Sequence, residues 1–245
     1  MKLMVIGGGG REHALAWRLS KSPRVQKVYV APGNGGTATE PDLENVALDA
    51  VNDPDGLVRF LKDNEVAFTV VGPEAPLAAG LVDRLESEGL KVFGPRKAAA
   101  QLEASKDFAK QFMARYNIPT AGYKTFTDPA AARDYASEQA ERFPGLPIVI
   151  KADGLAAGKG VVVAASLEQA HQAIADMLMS NKLGSAGSRV VIEDFLQGQE
   201  ASFMVVCDGK SAFALATSQD HKRIGDGETG PNPGGMGAYS PAPVV

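Results

Sequence analysis

Two short apolar runs and the glycine-rich loop between them constrain the fold of this chain more than any other stretch. Residues 148–150 and 161–163 are all β-branched, and the loop between the runs contains Gly154, Gly158 and Gly160. β-Branched residues favour strands, whereas glycine adopts backbone angles that other residues avoid. The stretch therefore predicts two strands joined by a pliable loop.

The same loop carries cations that could bind an anion. Lys151 precedes the glycines and Lys159 lies among them. Backbone N–H groups of such a loop can converge on a phosphate, and lysines supply point charges. The loop is not a Walker A motif, because only three residues separate Gly154 from Gly158 and a strand follows. A phosphate-binding hairpin and an ordinary glycine-rich hairpin with solvated lysines both stay open at this point.

The first hundred residues alternate between apolar runs and helical patterns. An apolar run at 3–6, glycines at 7–10 and a helical pattern at 11–20 are typical of the opening of a doubly wound α/β domain. Further strands are predicted at 25–30, 46–48, 66–71 and 91–93, and further helices at 55–64 and 76–88.

The glycines after the first strand do not form a dinucleotide fingerprint. Reading G-x-G-x-x-G from Gly7 places Glu12 at the last position, and reading it from Gly8 places His13 there. The pattern therefore argues against NAD. A phosphate at the helix N-terminus and a tight turn that needs small residues are both open. Glycine-containing segments at 7–10, 32–36 and 72–74 follow three strands, so they should meet at the ligand-binding edge of the sheet, with Glu74 as a candidate contact.

A different order of elements begins near residue 100, where we expect a domain boundary. Helices are predicted at 98–116 and, opened by Asp128-Pro129, to residue 142; extended segments are predicted at 122–126 and 189–193. Strands at 201–206 and 211–217 flank Asp208-Gly209, a strong hairpin signal. A polar loop follows at 218–237, where the charges of residues 219–223 form either an anion site or a solvated charge run.

Charge and cysteine content narrow the class of protein. The formal net charge of −4 argues against a general nucleic-acid or membrane-surface binder. Cys207 is the only cysteine, which fits a reducing cytoplasm, and its apolar surroundings predict a buried structural thiol.

Six segments together resemble the N-terminal part of the phosphoribosylamine–glycine ligases (glycinamide ribonucleotide synthetases), a family of ATP-grasp enzymes. The segments occur in one order along almost the whole chain. They are residues 8–14 (GGGREHA), 31–34 (APGN), 72–77 (GPEAPL), 151–160 (KADGLAAGKG), 218–222 (SQDHK) and 234–240 (GGMGAYS).

The resemblance implies a fold, a reaction and a pathway. The fold is α/β, with a doubly wound (Rossmann-like, pre-ATP-grasp) substrate domain at 1–102 and an incomplete α+β ATP-grasp domain at 103–245. The small lobe of the second domain would cover about 121–190 and the start of the large lobe 191–245. The reaction joins glycine to 5-phosphoribosylamine in de novo purine biosynthesis, with glycyl phosphate as intermediate, and gives glycinamide ribonucleotide, ADP and phosphate.

The resemblance also implies roles for individual residues. ATP-binding residues would be Lys106, Lys151, Gly154, Gly158, Lys159, Gly160, Glu193, Phe195, Leu196 and Glu200. Among these, Lys106 and Lys151 would contact the phosphates and the adenine side, and the loop at 154–160 would close over the phosphates. Glu193, Phe195 and Leu196 would contact the adenine, and Glu200 the ribose. The phosphoribosyl group would contact Gly9, Gly10, Arg11, Glu12 and Glu74. Asp220, His221 and Lys222 would face glycine and the transferred phosphate as the catalytic residues.

Two departures from the family pattern bear on activity. Pro233 follows Asn232 where the family usually has threonine. The family's Mg²⁺ (or Mn²⁺) ligands lie on strands beyond residue 245, so we expect no metal ligand within this chain. Phosphoryl transfer from ATP needs Mg²⁺, and a polypeptide ending at Val245 should therefore have little ligase activity and be a fragment of a longer enzyme.

The expected partners are the small molecules ATP, glycine and 5-phosphoribosylamine, with no nucleic acid or membrane, and the full-length enzyme is expected to be a monomer. Two other functions stay open. One is a non-catalytic module that binds a nucleotide or a phosphoribosyl group, and the other is a related ATP-grasp ligase with a different substrate.

Overall fold

The computed structural model describes residues 1–156, 160–180, 182–227, 229–230 and 236–245. The chain forms two compact units, Met1–Glu193 and Asp194–Val245. Each unit is described by itself below.

A five-stranded parallel sheet with the strand order β3-β2-β1-β4-β5 forms the first half of the larger unit. Its strands are β1 (Lys2–Gly7), β2 (Lys27–Pro32), β3 (Leu43–Asn45), β4 (Val66–Val71) and β5 (Val92–Phe93). The predicted strand at 46–48 is wrong, because the pairing with β2 ends at Asn45 and only a single hydrogen bond, from the Val46 N–H to the Val30 carbonyl, continues it.

Helices cover both faces of this sheet, which confirms the doubly wound fold. Successive side chains of a strand point to opposite faces. Leu3 and Val5 pack with Ala16 of α1 (Gly10–Ser20) on one face. On the other face, Met4 and Ile6 join a core with α2 (Pro54–Asp63) and α4 (Leu81–Ser87).

Two predicted helices are each divided in the structure. The helix predicted at 76–88 consists of α3 (Glu74–Ala79) and α4, because Gly80 adopts a left-handed conformation with φ of 96° between them. The helix predicted at 98–116 consists of α5 (Lys97–Ala104) and α6 (Lys106–Arg115). Ser105 is extended there, and its hydroxyl accepts a hydrogen bond from the Phe108 N–H as the N-cap of α6.

The second half of the larger unit is a four-stranded antiparallel sheet with the order β6-β9-β7-β8. Its strands are β6 (Tyr123–Phe126), β7 (Ile148–Ala152), β8 (Val161–Ala164) and β9 (Val190–Glu193). Helices α7 (Pro129–Arg142) and α8 (Leu167–Leu178) pack on it through a shared apolar core. The antiparallel pairing of β7 with β8 confirms the hairpin that the two β-branched runs predict.

The smaller unit contains two short ribbons. Strands β10 (Val205–Cys207) and β11 (Ala212–Ala214) form the predicted hairpin around Asp208-Gly209. Strand β12 (Gln219–Asp220), which lies in the stretch predicted as a loop, pairs with β13 (Ala238–Tyr239), which directly follows that stretch. The prediction of a buried Cys207 is wrong, because every residue of β10 and β11 is exposed. No helix in the described ranges combines the length and the apolar character that crossing a membrane requires.

Candidate functional site

The N-terminus of α1 brings together the residues expected to bind a phosphoribosyl group. Gly9 is the N-cap and Gly10 the first residue of the helix. The exposed Arg11 extends its guanidinium to 3.7 Å from the carboxylate of Glu74, the first residue of α3. A helix N-terminus attracts anions through its free N–H groups, so this end of α1 and the exposed Arg11 would favour an anionic ligand, whereas the carboxylate of Glu74 would oppose one.

Glu12 differs from its neighbours because its side chain is buried. One carboxylate oxygen accepts a 2.7 Å hydrogen bond from the Gly9 N–H, and the other has no hydrogen-bond partner within the described structure. A methyl group on Gly7, Gly9 or Gly72 would lie 3.0 Å or closer to this side chain. The glycines therefore make room for the Glu12 side chain. This packing explains why glycine occupies these three positions without any need for a ligand.

A cavity of about 570 Å³ lies at the carboxyl ends of β1, β2 and β4. The three glycine-containing strand ends therefore meet at one edge, as predicted. The lining is mostly apolar and includes Gly8, Pro32, Leu48, Asp49 and Pro73. The expected phosphoribosyl contacts are not among its lining residues in the described part of the chain, although Gly8 and Pro73 adjoin Gly9 and Glu74.

Lys106 begins α6 and reaches the end of β7. Its ammonium donates to the backbone carbonyls of Asp153 at 3.4 Å and Gly154 at 3.2 Å. Burial lowers the pKa of Lys106, an effect that Asp153 opposes and the positive charge of Lys151 reinforces. Two lysine ammonium groups therefore lie within electrostatic range of each other beside the glycine-rich loop, as an anion-binding site requires.

Lys151 is held by a buried carboxylate. Its ammonium lies 3.0 Å from one oxygen of Glu193, and the buried Lys110 lies 2.9 Å from the other oxygen. Lys151 itself is 27% exposed. The antiparallel pairing of β7 with β9 brings Lys151 and Glu193 together. The carboxylate expected to contact adenine therefore already binds two lysines.

Asp153 connects the end of β7 to the start of α6. Its carboxylate accepts hydrogen bonds from the Asp107 N–H, the Ser105 hydroxyl and the guanidinium of Arg189. Burial alone would raise the pKa of Asp153, but these hydrogen bonds outweigh burial and lower the pKa below its usual value.

The described ends of the glycine-rich loop are closely packed. The Gly154 N–H donates to the Ala186 carbonyl, and a methyl group on Gly154 would lie 2.9 Å from the Ala186 Cα. The Gly160 carbonyl accepts a 2.7 Å hydrogen bond from the Ala152 N–H. Gly158 and Lys159, both predicted to contact phosphate, lie outside the described residues.

In the smaller unit, three predicted residues form one charged group. Lys222 lies 2.8 Å from the carboxylate of Glu200 and 3.5 Å from that of Asp220. The hydrogen bond to Glu200 is the main cause that raises the pKa of Lys222. The residues expected at the ribose and at the transferred phosphate therefore contact each other directly.

The other predicted residues of this unit have fewer contacts. The imidazole of His221 lies 5.7 Å from the ring of Tyr239. Phe195 is half-buried, and Leu196 is 69% exposed. Pro233 lies outside the described residues.

Sequence reasoning missed Asp107, Lys110, Asp153 and Arg189. A signal existed for two of them. Lys110 follows Lys106 by one helical turn, and residues at that spacing share a helix face. Asp153 is a carboxylate at the end of an apolar strand, inside the segment that carries the resemblance.

The described residues do not fit a divalent metal ion. Within them, no group of three or more His, Cys, Asp or Glu side chains is arranged to hold one. No step of the chemistry proposed below is therefore assigned to a metal.

Two family models match the chain in sequence. Residues 1–103 match the phosphoribosylglycinamide synthetase N domain, and residues 104–245 match the phosphoribosylglycinamide synthetase ATP-grasp (A) domain.

Similar proteins match the chain along its whole length. Phosphoribosylamine–glycine ligases of Neisseria meningitidis serogroup B and Ralstonia nicotianae are 64% and 65% identical over 245 residues. The chain spans 56% of the length of these curated relatives. The crystal structure of the Thermotoga maritima phosphoribosylamine–glycine ligase has a TM-score of 0.78 and 34% identity, over 99% of this chain and 56% of that one.

More distant structures share the fold alone. The D-alanine–D-alanine ligase of Bacillus anthracis in complex with ATP has a TM-score of 0.60 and 16% identity, over 93% of this chain and 68% of that one.

Proposed function

Because the chain belongs to the phosphoribosylglycinamide synthetase family, we propose that it supplies the substrate domain and part of the ATP-grasp domain of a ligase that joins glycine to 5-phosphoribosylamine. The domain boundary proposed from the sequence, 1–102 and 103–245, lies one residue from the junction of the two family models. The ligase acts in de novo purine biosynthesis.

The observation that supports ATP binding most strongly is the pair Lys106 and Lys151. Burial and the positive charge of Lys151 lower the pKa of Lys106, while Asp153 opposes them, so an anion beside the two ammonium groups would favour the charged form of Lys106. The triphosphate of ATP is such an anion. Gly154 and Gly160, at the two ends of the glycine-rich loop, are proposed to contact the phosphates. Gly158 and Lys159, within the loop, are proposed to contact them as well.

The nucleoside end of ATP is assigned to the segment that follows β9. We assign the adenine contacts to Glu193, Phe195 and Leu196, in part through backbone groups. Glu200 is assigned to the ribose hydroxyls, with which a carboxylate forms strong, charge-assisted hydrogen bonds.

In the proposed reaction, a carboxylate oxygen of glycine attacks the γ-phosphorus of ATP, which forms glycyl phosphate and releases ADP. The amine nitrogen of 5-phosphoribosylamine then attacks the acyl carbon, the C–O bond to phosphate breaks, and the nitrogen loses a proton. Lys222 and Asp220, with His221 beside them, would hold the glycine and the transferred phosphate. Cations that stabilise the developing negative charge lower the barrier of such a step.

The N-terminus of α1 is proposed to bind the phosphoribosyl end. Gly9, Gly10 and Arg11 would contact its phosphate, and Glu74 would lie nearby. The buried oxygen of Glu12 lies 3.9 Å from a guanidinium nitrogen of Arg11 and has no hydrogen-bond partner in the described structure. This oxygen is therefore proposed to accept a hydrogen bond from a donor such as a sugar hydroxyl, since unsatisfied buried acceptors are costly.

The partners are ATP, glycine and 5-phosphoribosylamine, and the cytoplasmic location and the monomeric full-length state stay predictions. A non-catalytic nucleotide-binding module is the second candidate, and turnover assays distinguish it from the ligase.

Calorimetric titration with ATP tests the proposal first, and ADP release with glycine and 5-phosphoribosylamine tests it second. We expect the chain to bind ATP, and Lys106→Met or Lys151→Met to weaken binding about ten-fold, equivalent to ~1.4 kcal/mol. A polypeptide that continues past Val245 should release ADP only when both substrates are present. Binding without turnover in the longer polypeptide would favour the module, and no ATP binding by either polypeptide would overturn both candidates.

A further inference from the structure

We propose that Lys110 is a positioning residue that neutralises Glu193, so that Lys151 keeps its positive charge available for the phosphates of the ligand. The inference rests on the proposed ATP site and adds to it a residue that does not contact the nucleotide. It depends on the contacts of one buried ammonium group.

Lys110 has a complete set of partners inside the protein. Its ammonium donates to the Thr120 hydroxyl at 2.8 Å and to the Ala121 carbonyl at 3.2 Å, and it lies 2.9 Å from Glu193. The ring of Tyr123 lies 5.5 Å from the same nitrogen. A lysine ammonium has three N–H donors. All three are therefore used internally, and burial excludes Lys110 from a ligand.

Glu193 stands between the two lysines. The side chains of Glu193 and Lys110 are 8% and 7% exposed, whereas that of Lys151 is 27% exposed. Lys110 holds one carboxylate oxygen, so the other oxygen is aimed at Lys151. Without Lys110, the single charge of Glu193 would be balanced by Lys151 alone. With it, the three groups together carry one net positive charge, and the accessible group among them is Lys151.

Inorganic tripolyphosphate is the probe that tests this role, because it has no adenine or ribose for Glu193 to contact. Binding is measured by calorimetry for the wild type and for Lys110→Met, Glu193→Gln and the double variant Lys110→Met/Glu193→Gln. The control is Lys124→Met, which removes the same charge from an exposed position of β6 in the same sheet.

Charge neutralisation predicts opposite signs for the two single substitutions. We expect Lys110→Met to weaken tripolyphosphate binding about ten-fold and Glu193→Gln to strengthen it several-fold. The double variant should return to within about two-fold of the wild type, and Lys124→Met should change binding less than about two-fold. A purely structural role of Lys110 would instead weaken binding in every variant of the cluster, and most in the double variant.

The outcomes separate this inference from the proposed function. If the wild type binds both ATP and tripolyphosphate but Lys110→Met binds as the wild type does, the positioning role is wrong and the ATP site stands. If the wild type binds neither ligand, the proposed function fails and the inference fails with it. Should Lys110→Met not fold, Glu193→Gln and the double variant decide, because tighter binding by the first and wild-type binding by the second are required.

Discussion

The carboxylate of Asp153 accepts a 2.8 Å hydrogen bond from the backbone N–H of Asp107, in the first turn of α6. The Lys106 N–H donates to the backbone carbonyl of Asp153 at 3.2 Å. These contacts fix the start of the helix that carries Lys106 and Lys110 to the end of the strand that carries Lys151. One carboxylate therefore sets the relative positions of the lysines on which the proposed site depends.

Replacing Asp153 by Asn should loosen this connection. Asparagine keeps one acceptor oxygen but loses the negative charge that faces Arg189. The guanidinium of Arg189 and the Asp107 N–H would then be only partly satisfied. We expect a loss of about 1–3 kcal/mol in the free energy of unfolding and several-fold weaker ATP binding. Urea unfolding and calorimetry measure the two effects. Asp134→Asn, on the exposed side of α7, is the control and should change neither.

The lowered pKa of Asp153 predicts how this stabilisation depends on pH. Hydrogen bonds to the charged form lower the pKa of Asp153 in the folded state. Its contribution is therefore fully present above the pKa of the unfolded chain and is lost as the pH falls through the folded-state pKa. The difference in unfolding free energy between the wild type and Asp153→Asn should be constant above about pH 5 and shrink below about pH 4. A difference that grows on acidification would contradict the assignment.

Gly154→Ala should destabilise the end of the glycine-rich loop. The added methyl group would lie 2.9 Å from the Cα and 3.0 Å from the Cβ of Ala186, so the backbone must move. Overpacking of this kind typically costs about 1–3 kcal/mol. Gly35→Ala is the matched control, because no atom lies within 4 Å of the added methyl group. Thermal unfolding of both variants measures the cost, and equal melting temperatures would disprove the packing argument.

Lys106 should take up protons when ATP binds. Burial and the neighbouring Lys151 lower the pKa of Lys106, while Asp153 opposes them. The phosphates add negative charge that favours the ammonium form, so the pKa of Lys106 rises on binding. At about pH 9, calorimetry in two buffers of different ionisation enthalpy should give different heats for the wild type and nearly equal heats for Lys106→Met. Equal wild-type heats would show that Lys106 lies away from the phosphates.

The substitution Glu200→Gln tests whether Glu200 contacts the ribose of ATP or acts on the phosphates through Lys222. The Glu200 side chain is 70% exposed and pairs with the half-buried Lys222, so the substitution should change the unfolding free energy by less than about 1 kcal/mol. If Glu200 binds the ribose, ATP binding weakens about ten-fold and tripolyphosphate binding stays the same. Weakening of both would show that Glu200 acts by positioning Lys222.

The hairpin of β7 and β8 and the doubly wound sheet could be predicted because their information is local. Runs of β-branched residues bounded by glycine identify strands wherever they pack. Element breaks were harder to predict. Ser105 interrupts a continuous helical pattern because its hydroxyl caps α6 and because the bonds to Asp153 hold the helix start, and neither cause is visible in hydrophobic periodicity.

The wrong prediction that Cys207 is buried shows a second limit of prediction from sequence. Residues 203–207 have the apolar pattern of a core strand, yet the β10–β11 hairpin is exposed on both faces. An apolar run indicates that burial of its side chains would be favourable, but only the neighbouring elements determine whether those side chains are covered.

By itself, the sequence determined most strands of the two larger sheets, the carboxyl edge at which three of them end, and the family to which the chain belongs. Only the tertiary structure decided that Glu193 binds Lys110 and Lys151 rather than standing free, and that Glu12 is buried beneath three glycines. The reason is that ion pairs such as Lys110 with Glu193 join residues far apart in the chain, so they arise from the register of β7 and β9 and the placement of α6. The local sequence pattern does not specify that geometry.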